Sequence, residues 1–175
     1  MALPSGTHRL GPDNATLSVH TRRTGAAAKA GHNLDIRVTA WNATIEVGDE
    51  TTMELTADGA SLRVESGHGG AQSLDDDDRA NIAKTLEDEI LKRNRITFRS
   101  TGVEDAGDGR VTVTGDVALA DKTQPVTFDL VSGDDGQLDA TAVVTQSGWG
   151  MKPYSILFGS LKVVDEVEVK LDGRR

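Results

Sequence analysis

Apolar side chains alternate with polar ones in ten short segments of this chain, and this period of two restricts the fold more than any other feature. Such alternation is typical of a β-strand with one face buried and the other in water. The segments are residues 17–19, 34–38, 44–47, 53–55, 62–64, 96–98, 111–119, 126–130, 143–145 and 163–171. The sequence therefore predicts ten candidate strands and a mainly β protein.

Turn residues lie between many of these segments. Gly-Asp or Asp-Gly pairs occur at 48–49, 58–59, 108–109 and 135–136, and Asp121–Pro125 forms a further break. These residues suit the tight turns that join antiparallel neighbours. Parallel strands are usually apolar on both faces, and the candidate strands are not. We therefore expect an antiparallel meander that closes into a barrel or packs as a sandwich.

One segment follows a helical pattern instead. Ile82, Leu86 and Ile90 recur at intervals of four, and the segment runs from Asp75–Asp78 to a Lys92-Arg93 end, which suits the helix dipole. The sequence predicts one helix over about residues 76–93. The four aspartates lack the alternating ligands and glycine of a calcium loop, so we assign them to capping the helix start.

Length and charge exclude several classes of protein. The chain has 175 residues, which predicts a single domain over residues 1–175. Its formal charge of −9 disfavours nucleic acid as a partner. No window is apolar enough for a transmembrane segment, and the absence of cysteine excludes disulfides and thiolate metal sites. We expect no cofactor.

The titratable residues suggest little catalytic chemistry. His8, His20, His32 and His68 lack the short spacing that places two imidazoles on one face, so no metal site is predicted. No Gly-x-Ser-x-Gly motif surrounds a serine. His32 follows a run of small residues and precedes a strand, where its side chain could be structural or could face a barrel opening.

The aromatic residues are concentrated in one stretch. Trp149, Tyr154 and Phe158 are three of only six aromatic residues, and Met151 lies among them. The broken periodicity of this stretch suggests a bent strand or a wide loop. It either contributes to the main core or lines a cavity, and the sequence leaves both open.

Several ordered motifs resemble the YceI-like family of polyisoprenoid-binding, lipocalin-like barrel proteins. The motifs span roughly residues 7–171 and lie in the family's order. They are an opening strand from Gly11 to Val19, a Gly31-His32 pair before residues 34–38, an I-x-F-x-S-T strand at Ile96–Thr101, a Gly115 and Thr123-Gln124-Pro125-Val126 turn region, and a closing Val164–Val167 segment.

This resemblance implies an extended eight-stranded antiparallel lipocalin-like β-barrel with one inserted helix, and an isoprenoid or other long-chain lipid bound in an apolar tunnel. It implies no catalytic residue. The lining candidates are Ile36, Phe98, Val113, Phe128, Trp149, Met151, Tyr154 and Phe158. His32 and Lys152 are candidates for contact with an anionic head group. The chain lacks the export signal of many members, which predicts a cytoplasmic member.

We therefore expect a carrier or sequestering protein and not an enzyme. One alternative is a small stress-related or partner-binding barrel whose interior is filled by side chains. A second is an isomerase that transfers protons between His32, a buried carboxylate and a hydrophobic substrate. A homodimer through an open strand edge is also left open.

Overall fold

The computed structural model describes residues 3–174, and β-strands dominate it. Eleven strands form one sheet and three short strands form a second. The eleven are β1 (Gly6–Leu10), β2 (Ala15–His20), β4 (Asn33–Val38), β5 (Trp41–Val47), β6 (Thr52–Asp58), β7 (Leu62–His68), β8 (Arg95–Gly107), β9 (Arg110–Leu119), β10 (Lys122–Ser132), β11 (Gln137–Thr145) and β14 (Glu166–Arg174). The small sheet contains β3 (Arg23–Thr24), β12 (Ser155–Ile156) and β13 (Leu161–Val163).

The large sheet is antiparallel and curls around its apolar face. Its strand order is β1-β5-β6-β8-β9-β10-β11-β14-β2-β4-β7. The chain passes from β4, near one edge, directly to β5, near the other, through Thr39 and Ala40. At this corner Thr39 N donates to Ser61 O and Asp58 N donates to Ala40 O. The two ends of the sheet are thus brought together, as in a lipocalin-like barrel.

The prediction of eight strands was wrong, because the sheet has eleven. Nine of them each contain a whole alternating segment, and β14 contains residues 166–171 of the tenth, whose first residue, Val163, ends β13. The remaining strand, β1, has a single buried apolar residue, Leu10, and therefore lacks an alternating pattern. It is held by backbone pairing with β5, from Gly6 opposite Val47 to Leu10 opposite Ala43.

The helix begins where predicted and ends earlier. Helix α1 spans Asp76–Thr85, and Asp75 caps it through a capping box with Asp78. A π-helical turn, Leu86–Ile90, follows. Leu91 N bonds to Leu86 O, five residues back, and Lys92 and Arg93 then adopt positive φ angles that end the helical path. The predicted extension of one helix to residue 93 was therefore wrong.

Part of the barrel interior is filled by closely packed aliphatic side chains. Ile45, Val113, Leu130 and Leu138 are each at most 1% exposed. The rings of Phe98 and Phe128 lie beside this core with their centroids 5.5 Å apart. Pairing between β10 and β11 is confined to Leu130–Ser132 and Leu138–Ala140. Beyond these residues the two strands diverge, and a cavity lies against their inner faces.

Candidate functional site

The inner cavity has a volume of about 230 Å³ and an almost wholly aliphatic lining. Its walls come from the inward-facing positions of the large sheet and from the π-helical turn. All but two of the lining side chains are apolar: Leu17, Val19, Ile36, Val38, Met53, Leu55, Ala57, Leu62, Leu86, Ile90, Leu91, Ile96, Phe98, Val117, Val126, Phe128, Ala140, Ala142, Val144, Met151, Val167, Val169 and Leu171. The two polar exceptions are Thr21 and Gln146.

An outer chamber of about 380 Å³ adjoins this cavity. It lies between α1 and the small sheet, and the two spaces share lining residues. The shared residues are Thr21, Ile36, Leu86, Ile90 and Gln146. Both polar residues of the inner cavity therefore lie at its junction with the outer chamber. Together the two spaces form a continuous, mainly apolar interior whose polar side chains are concentrated in the outer chamber and at the junction.

The π-helical turn places the helical segment over this interior. The backbone hydrogen bond from Leu91 N reaches back five residues to Leu86 O. Leu86 and Leu91 therefore lie one above the other on the helical surface, and Ile90 lies beside them. Leu86 and Ile90 line both spaces, whereas Leu91 lines only the inner one. A regular α-helix would bring residues four apart to the same face, so the π turn adds a third apolar contact to the cavity wall.

The charged residues that line the outer chamber are all basic. They are Arg23 of β3, Lys162 of β13 and the ionisable His32, and no Asp or Glu lines either space within residues 3–174. Arg23 donates to the carbonyl oxygen of Gly31. His32 Nε2 lies 2.7 Å from the carbonyl oxygen of Gln72, to which it can donate. The mouth can therefore offer cationic hydrogen-bond donors to an anionic group.

The predicted site residues divide into four groups. Five of them line the inner cavity or the outer chamber through apolar contacts: Ile36, Phe98, Phe128, Met151 and Tyr154. His32 lines the outer chamber. Val113 and Trp149 belong to the packed core and line neither space, whereas Lys152 and Phe158 are exposed outside both.

Trp149 has a structural contact that explains its position. Its indole Nε1 donates to Val117 O at 2.9 Å, so the side chain is anchored to β9 rather than aimed into the cavity. Sequence reasoning missed Thr21, Gln146, Arg23 and Lys162. Arg23 lies on β3 and Lys162 lies on β13, and these two strands pair, with Lys162 opposite Thr24 and Val163 opposite Arg23. Because Arg23 and Lys162 are 139 positions apart in the chain, no local pattern in the sequence could indicate that they line the same chamber.

A second group of polar residues lies on the outer face of β2, β4 and β7. Asp35 accepts hydrogen bonds from Ser66, His68 and His20, and these bonds lower its pKa to about 2. Ser18 Oγ lies 2.9 Å from His20 Nε2. The neighbours Val19 and Ile36 face the cavity, so this cluster faces the opposite way. It joins three strands and does not contribute to the interior.

Residues 3–174 contain neither a metal-binding cluster nor a membrane-spanning helix. No group of three His, Cys, Asp or Glu side chains there is arranged to hold a metal ion. No helix among the same residues is long and apolar enough to span a bilayer.

The fold and the interior define a lipocalin-like β-barrel with an apolar internal cavity. The chain belongs to the YceI-like family, because the model of the YceI-like domain matches residues 9–174. Among curated proteins no match was found.

Solved structures share this fold at low sequence identity. BcnA of Burkholderia cenocepacia is 15% identical, with a TM-score of 0.64 over 90% of this chain and 94% of its own. A polyisoprenoid-binding domain from Saccharophagus degradans, implicated in plant cell wall breakdown, is 8% identical, with a TM-score of 0.55 over 98% and 100%. A YceI protein of Campylobacter jejuni is 15% identical, with a TM-score of 0.50 over 80% and 85%.

Proposed function

We propose that the protein binds a long-chain isoprenoid or a similar amphiphilic lipid and carries or sequesters it. The observation that carries this proposal is the continuity of an apolar inner cavity with an outer chamber that is mostly apolar but also carries Arg23, His32 and Lys162. The tail lies against residues such as Val126, Val144 and Val169, and the head group lies in the outer chamber. The polyisoprenoid-binding domain of Saccharophagus degradans, which shares the fold, supports this ligand class.

The chemistry of the lining favours a hydrocarbon over a polar ligand. Each CH₂ group that moves from water into the cavity contributes about 0.8 kcal/mol to the free energy of binding, so a tail of several carbons supplies affinity without any polar contact. A polar ligand would lose its hydrogen bonds to water in the inner cavity and find only Thr21 and Gln146 to replace them.

The outer chamber favours an acidic or strongly accepting head group. Arg23 and Lys162 both line it, and His32 is the third donor. A phosphate or carboxylate at this position would receive charge-assisted hydrogen bonds, which are stronger than neutral ones. Of the two predicted head-group contacts, His32 lines the chamber and Lys152 does not, so the proposed head-group set is Arg23, His32 and Lys162.

The two alternative functions find less support. A barrel filled by side chains would have no interior space, and this barrel has a cavity of about 230 Å³. Proton transfer between His32 and a carboxylate needs an acidic residue at the cavity, and none of the described lining residues is acidic. That the protein is not an enzyme stays a prediction, and a homodimer stays an open alternative.

Native and denaturing mass spectrometry of the purified protein test the proposal, together with a solvent extract of the same sample. We expect a native adduct of several hundred daltons that is absent after denaturation and appears in the extract. A protein that stays unliganded, and that takes up no prenyl lipid or fatty acid when these are added, would contradict the proposal.

A matched pair of variants locates the ligand. Ala142→Phe puts a ring into the inner cavity, whereas Thr141→Phe puts the same ring on the outer face of the same strand. We expect Ala142→Phe to reduce the occupied fraction at least ten-fold and Thr141→Phe to leave it unchanged. Equal occupancy in the two variants would place the ligand elsewhere.

A further inference from the structure

The mouth of the outer chamber carries an exposed apolar projection. It consists of Tyr154, Ile156, Leu157 and Phe158, which we call the apolar tip. Their exposed fractions are 45%, 40%, 58% and 111%. Tyr154 and Ile156 also line the outer chamber, so the tip is continuous with the path into the cavity. Large side chains this exposed at one point usually mark a surface that is covered by a partner.

The backbone holds the tip in a strained conformation. Leu157 and Phe158 have φ angles of 53° and 56°, in the left-handed region that bulky residues rarely adopt. In the turn between β12 and β13, the next residue is Gly159, which has a φ of 85°. Strain of this kind persists where the surrounding structure imposes it and is concentrated at functional sites. Here it directs two large apolar side chains away from the protein.

The two chain segments that form the mouth are basic, and they carry no acidic residue between their ends, which adjoin Asp35 and Asp165. Residues 21–34 and 146–164, which we call the mouth platform, contain Arg22, Arg23, Lys29, Lys152 and Lys162 and no Asp or Glu. The chain as a whole has 28 acidic residues in 175, which would place about five in a stretch of this size. No ion pair within residues 3–174 engages any of these five cations.

The two segments of the mouth platform are joined in space. Thr24 pairs with Lys162, and Arg23 pairs with Val163, between β3 and β13. Ala27 N donates to Ser160 O at 2.8 Å. The acidic residues that adjoin the two segments, Asp35 and Asp165, accept hydrogen bonds from neutral or histidine side chains, Asp35 from Ser66, His68 and His20 and Asp165 from Ser147. A run of four acidic residues, Asp75–Asp78, lies at the start of α1. There, Asp75 and Asp78 are held in the capping box and Asp76 is paired with Arg79.

We infer that the mouth platform and its apolar tip form a docking surface for a bilayer that contains anionic lipids. The tip inserts Leu157 and Phe158 among the acyl chains near the head groups, and the five cations contact the lipid phosphates. This combination of exposed apolar side chains and flanking basic residues is the one that holds peripheral proteins at a membrane surface. A net charge of −9 repels the rest of the protein from that surface and so orients the mouth toward it.

The docking surface gives the carried lipid a path between the cavity and the bilayer that does not pass through water. A long-chain lipid that leaves the cavity into water must expose its whole tail, whereas a mouth seated on a bilayer lets the tail pass from one apolar phase to another. This consequence rests on the proposed carrier function, but docking itself does not. Docking is measured on protein from which ligand has been extracted, so either proposal can fail without the other.

Vesicle binding of the full chain tests the inference. The probes are vesicles of phosphatidylcholine alone and vesicles in which about a third of the lipid is phosphatidylglycerol. We expect at least ten-fold stronger partitioning to the anionic vesicles, weakened by 0.5 M salt (roughly a 4 Å screening length). Equal partitioning to both, or none to either, overturns the inference; capture of a protein partner by the tip with no vesicle binding would do the same.

Matched variants assign the binding to this surface. Leu157→Ser with Phe158→Ser should lower partitioning at least ten-fold, whereas Val131→Ser with Val143→Ser, at exposed positions on the outer face of the sheet, should not change it. Lys152→Gln and Lys162→Gln should each lower it about five-fold, and Lys170→Gln on β14 should not. Equal effects of the tip and the control substitutions would contradict the assignment.

A fluorescence readout does not depend on these variants. In Phe158→Trp the new indole is exposed, whereas the two natural tryptophans, Trp41 and Trp149, are 6% and 8% exposed. Anionic vesicles should shift the emission of this variant to shorter wavelength, and brominated lipid should quench it. An emission spectrum that vesicles do not change would overturn insertion of the tip.

Discussion

His20 Nδ1 lies 2.7 Å from Asp35 Oδ1, across the β2–β4 pair. The other carboxylate oxygen of Asp35 lies 2.6 Å from His68 Nε2 and accepts a hydrogen bond from Ser66 Oγ at 2.7 Å. One carboxylate thus connects three neighbouring strands. The bond from Ser66 is the largest of the effects that hold its pKa down at about 2.

Asp35→Asn should destabilise the protein at neutral pH and reduce its sensitivity to acid. The pKa of Asp35 is lower in the folded chain, about 2 against a usual 3.8. Its contribution to the free energy of unfolding is therefore fully present above pH 3.8 and is lost as the pH falls through 2. We expect the substitution to cost about 1 to 2 kcal/mol at pH 7, measured by urea unfolding. The difference between variant and parent should shrink toward pH 2.

The exposed carboxyl of Asp139 on β11 provides the control for this prediction. Asp139→Asn should leave the free energy of unfolding within about 0.5 kcal/mol of the parent. If Asp35→Asn were as mild as Asp139→Asn at pH 7, the hydrogen-bonded cluster would not stabilise the three strands.

Gly115→Ala should be destabilising because the methyl group has no space. A Cβ at this position would lie 2.5 Å from Arg99 O and 2.5 Å from the ring of Phe98. We expect a loss of about 1 to 3 kcal/mol, seen as a lower midpoint in thermal unfolding. Gly102→Ala on β8 is the matched control, since a Cβ there meets nothing within 4 Å. Similar midpoints for the two variants would contradict the packing described around Phe98.

Asp75→Ala should weaken the start of α1. Asp75 Oδ1 accepts from Asp78 N at 2.8 Å, and the loss of such a cap costs about 1 kcal/mol. Amide hydrogen exchange should become faster in α1, which forms one wall of the outer chamber. Asp77→Ala removes a neighbouring charge but no capping bond, so exchange in that variant should rise less. Equal exchange rates in both would show that charge, not capping, holds the helix start.

The two tryptophans offer a test of one hydrogen bond. Trp149 Nε1 donates to Val117 O at 2.9 Å, whereas Trp41 Nε1 is buried with no hydrogen-bond partner within residues 3–174. Trp149→Phe therefore loses a bond that Trp41→Phe does not, and we expect it to cost about 1 kcal/mol more in urea unfolding. A larger cost for Trp41→Phe would contradict this account.

The strands were predictable because their inner faces follow a local rule. Nine of the ten alternating segments lie within a strand and the tenth overlaps β13 and β14, and the buried positions Ile36, Phe98 and Leu130 fall in the predicted phase. The side-chain pattern did not predict β1, because backbone pairing with β5, and not a buried face, keeps this strand in the sheet. Backbone hydrogen bonds leave no trace in the side-chain pattern.

The site was less predictable because it depends on contacts between distant segments. Phase along a strand identified Ile36, Phe98 and Phe128, but it could not distinguish the open part of the interior from the packed part that holds Val113. The end of α1 escaped prediction for a related reason. The spacing of Ile82, Leu86 and Ile90 fits an α-helix, and the π turn that brings Leu91 to the cavity leaves the same spacing intact.

The free edges of the large sheet have a mechanical consequence. In a closed barrel, the number of strands and their stagger fix the radius. Here β1 and β7 end the strand order, and within residues 3–174 the two strands do not pair with each other. The chain instead crosses between the two sides of the sheet at three short connections, residues 11–14, 39–40 and 59–61. These covalent connections, and not a closing ladder of hydrogen bonds, hold the two sides together, so the girth of the interior depends on the lengths of three loops.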